Sequence, residues 1–246
     1  NRALDMVQLG EFGGRRPAQL SGGQQQRVAV ARALVFDPQL VLMDEPLGAL
    51  DKNLREQMQY EIKHIHENLG VTVVYVTHDQ SEALAMSNRV AVFDDGVIQQ
   101  LASPSMLYEQ PENAFVAQFI GENNRLTGEI IAKNGPNCTV KIDDGSIIES
   151  LAVNIGNVGD RTTLSLRPER VTVGPAEGKY PNVFSAKVEE LIYLGDHIRS
   201  RVSVCGDDEF IVKVPNAAGH AALEEGQSVN VGWLAEDCRA LDHPDT

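Results

Sequence analysis

The amino-acid sequence predicts an α/β domain with a parallel sheet, followed by an all-β, barrel-like domain. Three observations lead to this prediction. The chain has 246 residues, more than one domain of about 100–150 residues needs. Helical and strand patterns alternate in its first half, as in parallel α/β sheets, whereas short strands separated by turn residues fill the second half. We place the boundary near Gly121, with domains at residues 1–121 and 122–246.

The first half contains a strand–helix–strand unit. Residues 24–36 are rich in helix formers, and Asp37-Pro38 ends that helix. Residues 40–43 and 71–77 form two apolar strands, which we expect to be buried on both faces. Between them, apolar residues recur at helical spacing and Gly70 follows, which predicts an amphipathic helix and a right-handed crossover. The apolar residues of this helix are Leu54, Met58, Ile62, Ile65 and Leu69.

Shorter elements complete both halves. Residues 82–86 predict a short helix, and residues 90–98 predict a hairpin with Asp95-Gly96 at its turn. Two further helical stretches close the first half, and alternating segments of the second half predict strands. The helical stretches are residues 106–109 and 113–120, and the strands include residues 139–142, 171–173 and 210–214.

Charge and composition exclude several classes of protein. Lys plus Arg is 21 and Asp plus Glu is 35, a net charge of −14, which repels nucleic acid and anionic lipid surfaces. The three cysteines show no C-x-x-C pair, so neither a disulfide framework nor a zinc site is indicated, and a reducing cytosolic setting fits. No apolar run approaches the roughly 20 residues of a membrane span.

The first residues suggest entry into the middle of a domain. The chain begins at Asn1 rather than Met, and Leu4, Val7 and Leu9 already follow a helical apolar pattern. We therefore expect an N-terminal truncation.

A glycine-containing segment stands directly before the first long helix. Ser21, Gly22, Gly23 and Gln24 offer a hydroxyl, two positions of close backbone approach and the N–H groups of a helix start. Such a helix start is suited to holding phosphate. The alternative is a serine N-cap with a glycine-rich turn, which is common in proteins.

Acidic residues and a histidine follow the two strands. Asp44 and Glu45 come at the carboxyl end of the first strand, where α/β sheets bind their ligands. Asp44 is placed to hold Mg²⁺ through water, and Glu45 to accept a proton from an attacking water. Asp51 is expected to cap the next helix, and His78 follows the second strand, where it can donate to a phosphate oxygen. The alternative is that all four serve only caps and turns.

Taken together, four segments resemble the motifs of ABC-transporter ATPases. Residues 20–29 resemble the signature motif, residues 41–46 the Walker B strand, residues 48–51 the D-loop and residues 77–79 the switch histidine loop. They occur in the family's order, and the likeness covers residues 1 to about 120. It implies the C-terminal part of a P-loop NTPase domain.

The resemblance also implies an activity. The family hydrolyses ATP with Mg²⁺, and two copies pair head to tail so that each ATP lies between one phosphate loop and the partner's signature motif. Glu45 would be the general base, and His78 would stabilise the γ-phosphate. Asp44 would organise Mg²⁺. Ser21, Gly22, Gly23 and Gln24 would contact ATP across the dimer, and Asp51 would link the two sites.

The resemblance further implies partners and a location. Transmembrane permease subunits, fed by a soluble solute-binding protein, would bind the ATPase at the cytoplasmic face of the inner membrane, with no nucleic acid involved. Residues 119–124, 166–169 and 193–196 resemble the oligonucleotide/oligosaccharide-type (TOBE) β domain of importer ATPases, most closely the spermidine/putrescine group. A polyamine-like solute is therefore expected. Residues 167–169 could bind an anion or a regulatory ligand, or form a structural salt-bridged corner.

One departure from the family is plain in the sequence. The chain has no G-x-x-x-x-G-K-S/T phosphate loop, and residues 174–180, the nearest match, are one residue short and end in Tyr180. We therefore expect this chain alone to be inactive. Two alternatives stay open: a non-transport ABC ATPase, although neither coiled-coil insertions nor tandem cassettes are visible, and a ligand-binding β module on an inactive ATPase remnant.

Overall fold

The computed structural model describes residues 2–48, 50–216 and 223–243. The described chain divides into two compact units. The first comprises residues up to Val90 together with Ala102–Ser105, and the second comprises Ala91–Leu101 and the residues from Met106 onward. The domain boundary near Gly121 stays a prediction.

The first unit is the predicted strand–helix–strand arrangement with helices around it. Strands β1 and β2 are parallel, with Leu40 opposite Thr72 and Asp44 opposite Val76, and α3 connects them. Short 3₁₀ turns at Gly10–Phe12 and Pro17–Gln19 precede α2. The elements are α1 (Arg2–Met6), α2 (Gly22–Leu34), β1 (Leu40–Asp44), α3 (Lys52–Leu69), β2 (Thr72–Val76) and α4 (Gln80–Met86).

The helix α3 matches its sequence pattern. Met58, Ile62 and Ile65 are buried, as the apolar spacing predicts, and the side chain of Leu69 lies outside the described part. Gly70 takes a left-handed conformation with φ +63° and donates its N–H to the carbonyl of His66, which ends the helix as expected.

Only one face of the β1–β2 sheet is covered. Val41 packs in a core with residues of α1, α2 and α3, and Tyr75 lies beside a second core that includes Met58 and Ile62. On the other face Leu42 is 72% exposed. The expectation that both strands are buried on both faces is wrong for the described residues, because the helices among them pack on one side only.

A hairpin and two short helices follow, and most of their residues belong to the second unit. Strands β3 (Val90–Asp94) and β4 (Val97–Ala102) form a two-stranded sheet. The turn between them uses Asp95 at φ +46° and Gly96 at φ +77°, the left-handed pair that a tight hairpin requires. The helices α5 (Pro104–Glu109) and α6 (Ala114–Phe119) follow. The predicted hairpin and helices are thus confirmed.

The rest of the second unit is all-β, as predicted. One set of strands closes a barrel in the order β14-β7-β6-β5-β8, and the other forms a five-stranded sheet in the order β12-β11-β10-β13-β9. The barrel strands are β5 (Asn124–Asn134), β6 (Asn137–Ile142), β7 (Ile147–Ala152), β8 (Arg161–Leu166) and β14 (Cys238–Leu241). The sheet strands are β9 (Thr172–Val173), β10 (Asn182–Tyr193), β11 (His197–Val204), β12 (Asp207–Pro215) and β13 (Ser228–Trp233).

A single apolar core serves the barrel and the sheet. Its largest members are Trp233 and Phe210, whose rings lie 5.9 Å apart, and it extends through Ile130 and Ile148 of the barrel. None of the helices in the described part of the chain combines the length and apolar character that a membrane crossing requires.

Candidate active site

The strand ends of the first unit carry the site. Asp44 ends β1 and Glu45 follows it, while Thr77 and His78 follow β2. Because β1 and β2 are parallel neighbours, their carboxyl ends lie at the same edge. The backbone N–H of Glu45 donates to the carbonyl of Val76 at 2.9 Å, which extends the pairing by one residue and fixes the start of the Glu45 loop.

Glu45 and His78 contact each other directly. The Nδ1 atom of His78 lies 2.9 Å from Oε1 of Glu45, and both side chains are largely exposed, at 76% and 51%. The hydrogen bond and the negative charge of Glu45 raise the pKa of His78 above its ordinary value of 6.5. The structure therefore brings together the two residues for which the sequence predicts catalytic roles.

Glu45 has an unusual backbone conformation. Its φ of +43° lies in the left-handed region, which costs a residue with a Cβ of the order of 1–2 kcal/mol. The chain turns sharply here, since Gly48 donates its N–H back to the carbonyl of Glu45 at 3.3 Å. The turn directs the Glu45 carboxylate to the histidine of the neighbouring loop instead of along the strand.

The start of α2 is a capping box. The Oγ of Ser21 accepts from the N–H of Gln24 at 3.3 Å, and the side-chain oxygen of Gln24 accepts from the N–H of Ser21 at 3.0 Å. The serine N-cap that the sequence left open is thus present. It leaves exposed Gly22 at the first helical position.

Gly23 has a packing role. It is buried, and a Cβ added there would lie 2.8 Å from Cδ1 of Leu54 on α3. At Gly22 the nearest such atom is 4.0 Å away. The absence of a side chain at Gly23 therefore leaves room for the side chain of Leu54 on α3, a role that the sequence did not indicate.

Asp51 and Asp44 differ in how they are held. Asp51 caps α3, with Oδ1 accepting from the N–H of Leu54 at 3.1 Å, so its predicted capping role is confirmed. Asp44 is exposed at the end of β1. Its carboxylate is the hard oxygen donor that Mg²⁺ prefers, and Mg²⁺ is commonly bound through one or two carboxylates, water and substrate phosphates. The described residues contain no cluster of three or more metal-ligating side chains.

A buried polar network lies behind these loops, and sequence reasoning missed it. Glu82 of α4 is 2% exposed. It accepts hydrogen bonds from the hydroxyls of Tyr75 and Thr77 at 2.7 and 2.8 Å, and Nε of Arg55 lies 3.6 Å from its other oxygen. Burial and the hydrogen bond to Glu82 raise the pKa of Tyr75 well above its ordinary value.

Arg55 joins the loops that flank the site. From α3 it donates to Oδ2 of Asp79 at 2.9 Å and to the carbonyl of Leu50 at 3.2 Å. Asp79 in turn caps α4 through its other oxygen, which accepts from the N–H of Ser81. One guanidinium therefore fixes the segment before α3 and the loop that carries His78. The only signal in the sequence is the spacing of Asp79 and Glu82, which is that of a capping box.

The helix start and the strand ends remain separate. Among the described residues, no hydrogen bond or ion pair joins Ser21 or Gln24 to the Glu45–His78 pair.

In the second unit, Arg167 donates to the backbone carbonyls of Ala117 and Glu122 at 3.1 and 3.0 Å. Arg167 is therefore part of a structural corner, as one interpretation of the sequence expected. The corner is held by backbone carbonyls, however, and among the described residues Arg167 forms no salt bridge.

Comparisons with known proteins agree with these features. Residues 1–48 match the model of the ABC transporter family, and residues 164–241 match that of the TOBE domain. The chain is 44% identical to the spermidine/putrescine import ATP-binding protein PotA of Rubrobacter xylanophilus over 241 residues, 97% of this chain and 63% of that protein.

Two further relatives carry the same name. The protein of Trichodesmium erythraeum is 43% identical over 98% of this chain and 65% of its own length, and that of Frankia alni is 41% identical over 98% and 54%. The chain spans roughly three fifths of the length of these curated relatives. From the two family matches and these relatives, the chain belongs to the ABC transporter family of ATP-binding proteins and carries a TOBE domain.

Proposed function

We propose that this chain forms part of the ATP-hydrolysing subunit of an importer. The contact between His78 and Glu45 at 2.9 Å carries the proposal, because it sets a proton acceptor beside a proton donor at the ligand-binding edge of a parallel sheet. Family membership supports ATP as the substrate.

In the proposed reaction, Glu45 accepts the proton of the attacking water. It first has to release His78, and the cost of doing so is small because both side chains are exposed to solvent. His78 is held near Glu45 by Nδ1, which leaves Nε2 facing away from the pair. The contact with Glu45 raises the pKa of His78 while it lasts. Once Glu45 has moved to the water, an N–H of the imidazole can donate to a γ-phosphate oxygen.

Asp44 would hold Mg²⁺ through water at the end of β1. The metal would neutralise charge that develops on the phosphates. The exposed carboxylate of Asp44 fits this role, and the turn at Glu45 separates the two acids, so that one serves the metal and the other the water.

The start of α2 would act on the ATP of a second subunit. Ser21 and Gln24 cap one another, which orders the helix start, and exposed Gly22 permits close approach of a phosphate to the backbone. Asp51, fixed as the cap of α3, would link the two composite sites of the head-to-tail dimer. This arrangement explains why Ser21 to Gln24 need no contact with Glu45 of their own chain.

The transported solute is proposed from the relatives. Their printed names describe import of spermidine and putrescine, and we assign this chain a polyamine-like solute on that ground. Permease subunits in the inner membrane, with a solute-binding protein outside, would be the partners, and the ATPase would lie on the cytoplasmic side.

The test is Glu45→Gln in the complete ATPase, which includes a phosphate loop, assembled with its permease. Loss of a general base costs roughly 10²–10⁴-fold in rate, so hydrolysis should fall by that factor while ATP binding is kept. Glu56→Gln is the matched control, because Glu56 is an exposed glutamate of α3 away from the strand ends. If Glu45→Gln kept more than about a tenth of the activity, Glu45 would not be the base. The 246-residue chain alone is expected to hydrolyse no ATP.

A further inference from the structure

The short turn at His78 is closed by the side chain of Thr77. The backbone N–H of Asp79 donates to Oγ1 of Thr77 at 2.9 Å, so this bond spans His78, the residue between them. The same hydroxyl donates its proton to Oε2 of Glu82 at 2.8 Å. A hydroxyl has one proton to donate and two lone pairs that accept, so both bonds can form together. Thr77 therefore ties the backbone around His78 to a residue of α4.

Glu82 is a fixed anchor for this hydroxyl. It is 2% exposed, and Nε of Arg55 lies 3.6 Å from its other oxygen. A carboxylate only accepts hydrogen bonds. Glu82 therefore takes the single proton of the Thr77 hydroxyl, which leaves a lone pair of that oxygen for the N–H of Asp79. The direction of both hydrogen bonds at Thr77 is thus set by a buried acid of α4.

Packing against neighbours does not fix the imidazole of His78, because 76% of the side chain is exposed. Its contact with Glu45 is an exposed pair, which costs little to break. In the proposed reaction Glu45 leaves the histidine for the attacking water. The direction of the Cα–Cβ bond of His78 then decides which positions the ring can reach in its allowed rotamers. That direction is a property of the turn that Thr77 closes.

We propose that Thr77 is a positioning residue, whose hydroxyl, held by Glu82, fixes the turn at His78 and keeps the imidazole at the edge of the sheet where Glu45 lies. Thr77 acts through the backbone of His78 and not on the reacting atoms. Reacting groups tolerate little displacement, since a shift of about 1 Å can cost about a hundredfold in rate. The inference rests on the proposed function, in which His78 donates to the γ-phosphate.

The first test uses the 246-residue chain without nucleotide. Thr77→Val keeps the shape of the side chain and removes the hydroxyl, so the imidazole should lose its place beside Glu45. Glu45 is the main cause of the raised pKa of His78. The charges of Asp79 and Glu82, which contribute less, stay in the chain. The NMR titration of the His78 ring protons should therefore move toward 6.5. Thr77→Ser keeps the hydroxyl and should titrate as the parent does.

Two controls separate the turn from the rest of the polar network. Tyr75→Phe also removes a hydroxyl from the buried carboxylate but keeps the bond that spans His78, so it should move the titration less than Thr77→Val does. Thr72→Val changes an exposed threonine at the other end of β2 and should titrate as the parent does. Circular dichroism checks that each variant is folded. Should Thr77→Val fail to fold, Thr77→Ala removes the same hydroxyl, and the same results are expected.

The second test uses the complete ATPase, which includes a phosphate loop, assembled with its permease. Displacement of His78 in Thr77→Val should lower kcat about tenfold to a hundredfold with little change in the KM for ATP, and Thr77→Ser should recover most of kcat.

An unchanged His78 titration in a folded variant without the hydroxyl overturns the inference. A shift in Tyr75→Phe or Thr77→Ser as large as that in Thr77→Val overturns it as well, and so does a moved titration with an unchanged kcat. Glu45→Gln distinguishes this failure from that of the proposed function, because a loss of activity in that variant supports the general base whatever the result at Thr77.

Discussion

Arg55→Met is expected to destabilise the first unit strongly, since it removes the guanidinium that joins the two loops of the candidate site. In the parent, Arg55 contacts Asp79 at 2.9 Å, the carbonyl of Leu50 at 3.2 Å and Glu82 at 3.6 Å. Methionine retains much of the apolar stem, so the change removes charge and hydrogen bonds with limited loss of packing.

The expected loss in the free energy of unfolding depends on how deeply Glu82 and Arg55 are buried. The side chain of Glu82 is 3% exposed and that of Arg55 is 30% exposed. Removing one partner of a fully buried pair costs about 3–5 kcal/mol. Arg55 reaches solvent, and Glu82 keeps two hydroxyl donors in Tyr75 and Thr77, so we expect a smaller loss of about 2–3 kcal/mol in the free energy of unfolding.

Urea unfolding measures this loss. The helical signal of circular dichroism reports mainly on the long helices α2 and α3, whereas Trp233 emission reports on the β unit. The free energy of unfolding falls by about 1–3 kcal/mol per molar urea. The midpoint of the helical transition should therefore move to a urea concentration lower by about 1 M. Arg89→Met is the control, since Arg89 is exposed and has no ion pair among the described residues.

A double-mutant cycle decides whether the buried charge is the cause. Glu82→Gln removes the charge and keeps an oxygen for the two hydroxyls, so Arg55→Met should cost much less in that background, with a coupling of about 1 kcal/mol or more. A loss below about 0.5 kcal/mol for Arg55→Met, a value typical of surface substitutions, would refute the reasoning. Additive effects in the cycle would refute it as well.

The remaining predictions concern the His78 pair and the two glycines of α2. Glu45→Gln should return the pKa of His78 toward 6.5, seen in the ring-proton NMR titration, because the raised pKa comes from Glu45; an unchanged pKa would show that the pair does not form. Because the pKa of His78 is raised in the folded protein, its ion pair with Glu45 stabilises the fold below about pH 6.5. This stabilisation is lost as the pH rises through the raised pKa of His78. Gly23→Ala should be less stable than Gly22→Ala by about 1 kcal/mol in urea unfolding, since only at Gly23 does a Cβ approach Leu54 at 2.8 Å; equal stabilities would contradict the packing role.

Much of the fold could be predicted because its signals are local. The spacing of apolar residues predicted α3, and Gly70 predicted its end. The Asp95-Gly96 pair predicted the hairpin. The burial of β1 and β2 was predicted wrongly on one face, as Leu42 shows. A continuous apolar strand indicates that both of its faces are covered in the folded protein. The pattern does not identify the segment that covers each face.

Part of the candidate site could also be predicted from the sequence, and part could not. Acids and a histidine at strand ends point to the edge of a parallel sheet, which is where Glu45 and His78 meet. Arg55 lies 24 residues before Asp79, and no periodicity links the two. Pairing of that kind depends on how α3 lies against the loop after β2, which is a property of the packed unit and not of either segment.

Helix caps fix the local geometry of two of the motif residues, Ser21 and Asp51. Ser21 and Asp51 each use a side-chain oxygen to cap a helix, at 3.3 and 3.1 Å, and Glu45 uses its carboxylate on His78. The cap atoms accept from the backbone, so a ligand at Gly22 would have to use N–H groups that the caps leave open. Glu45 differs, because its partner His78 is an exposed side chain, and water can replace the histidine beside Glu45 at little cost. Of these residues, Glu45 is therefore the one most free to change partners during a reaction, which is what a general base requires.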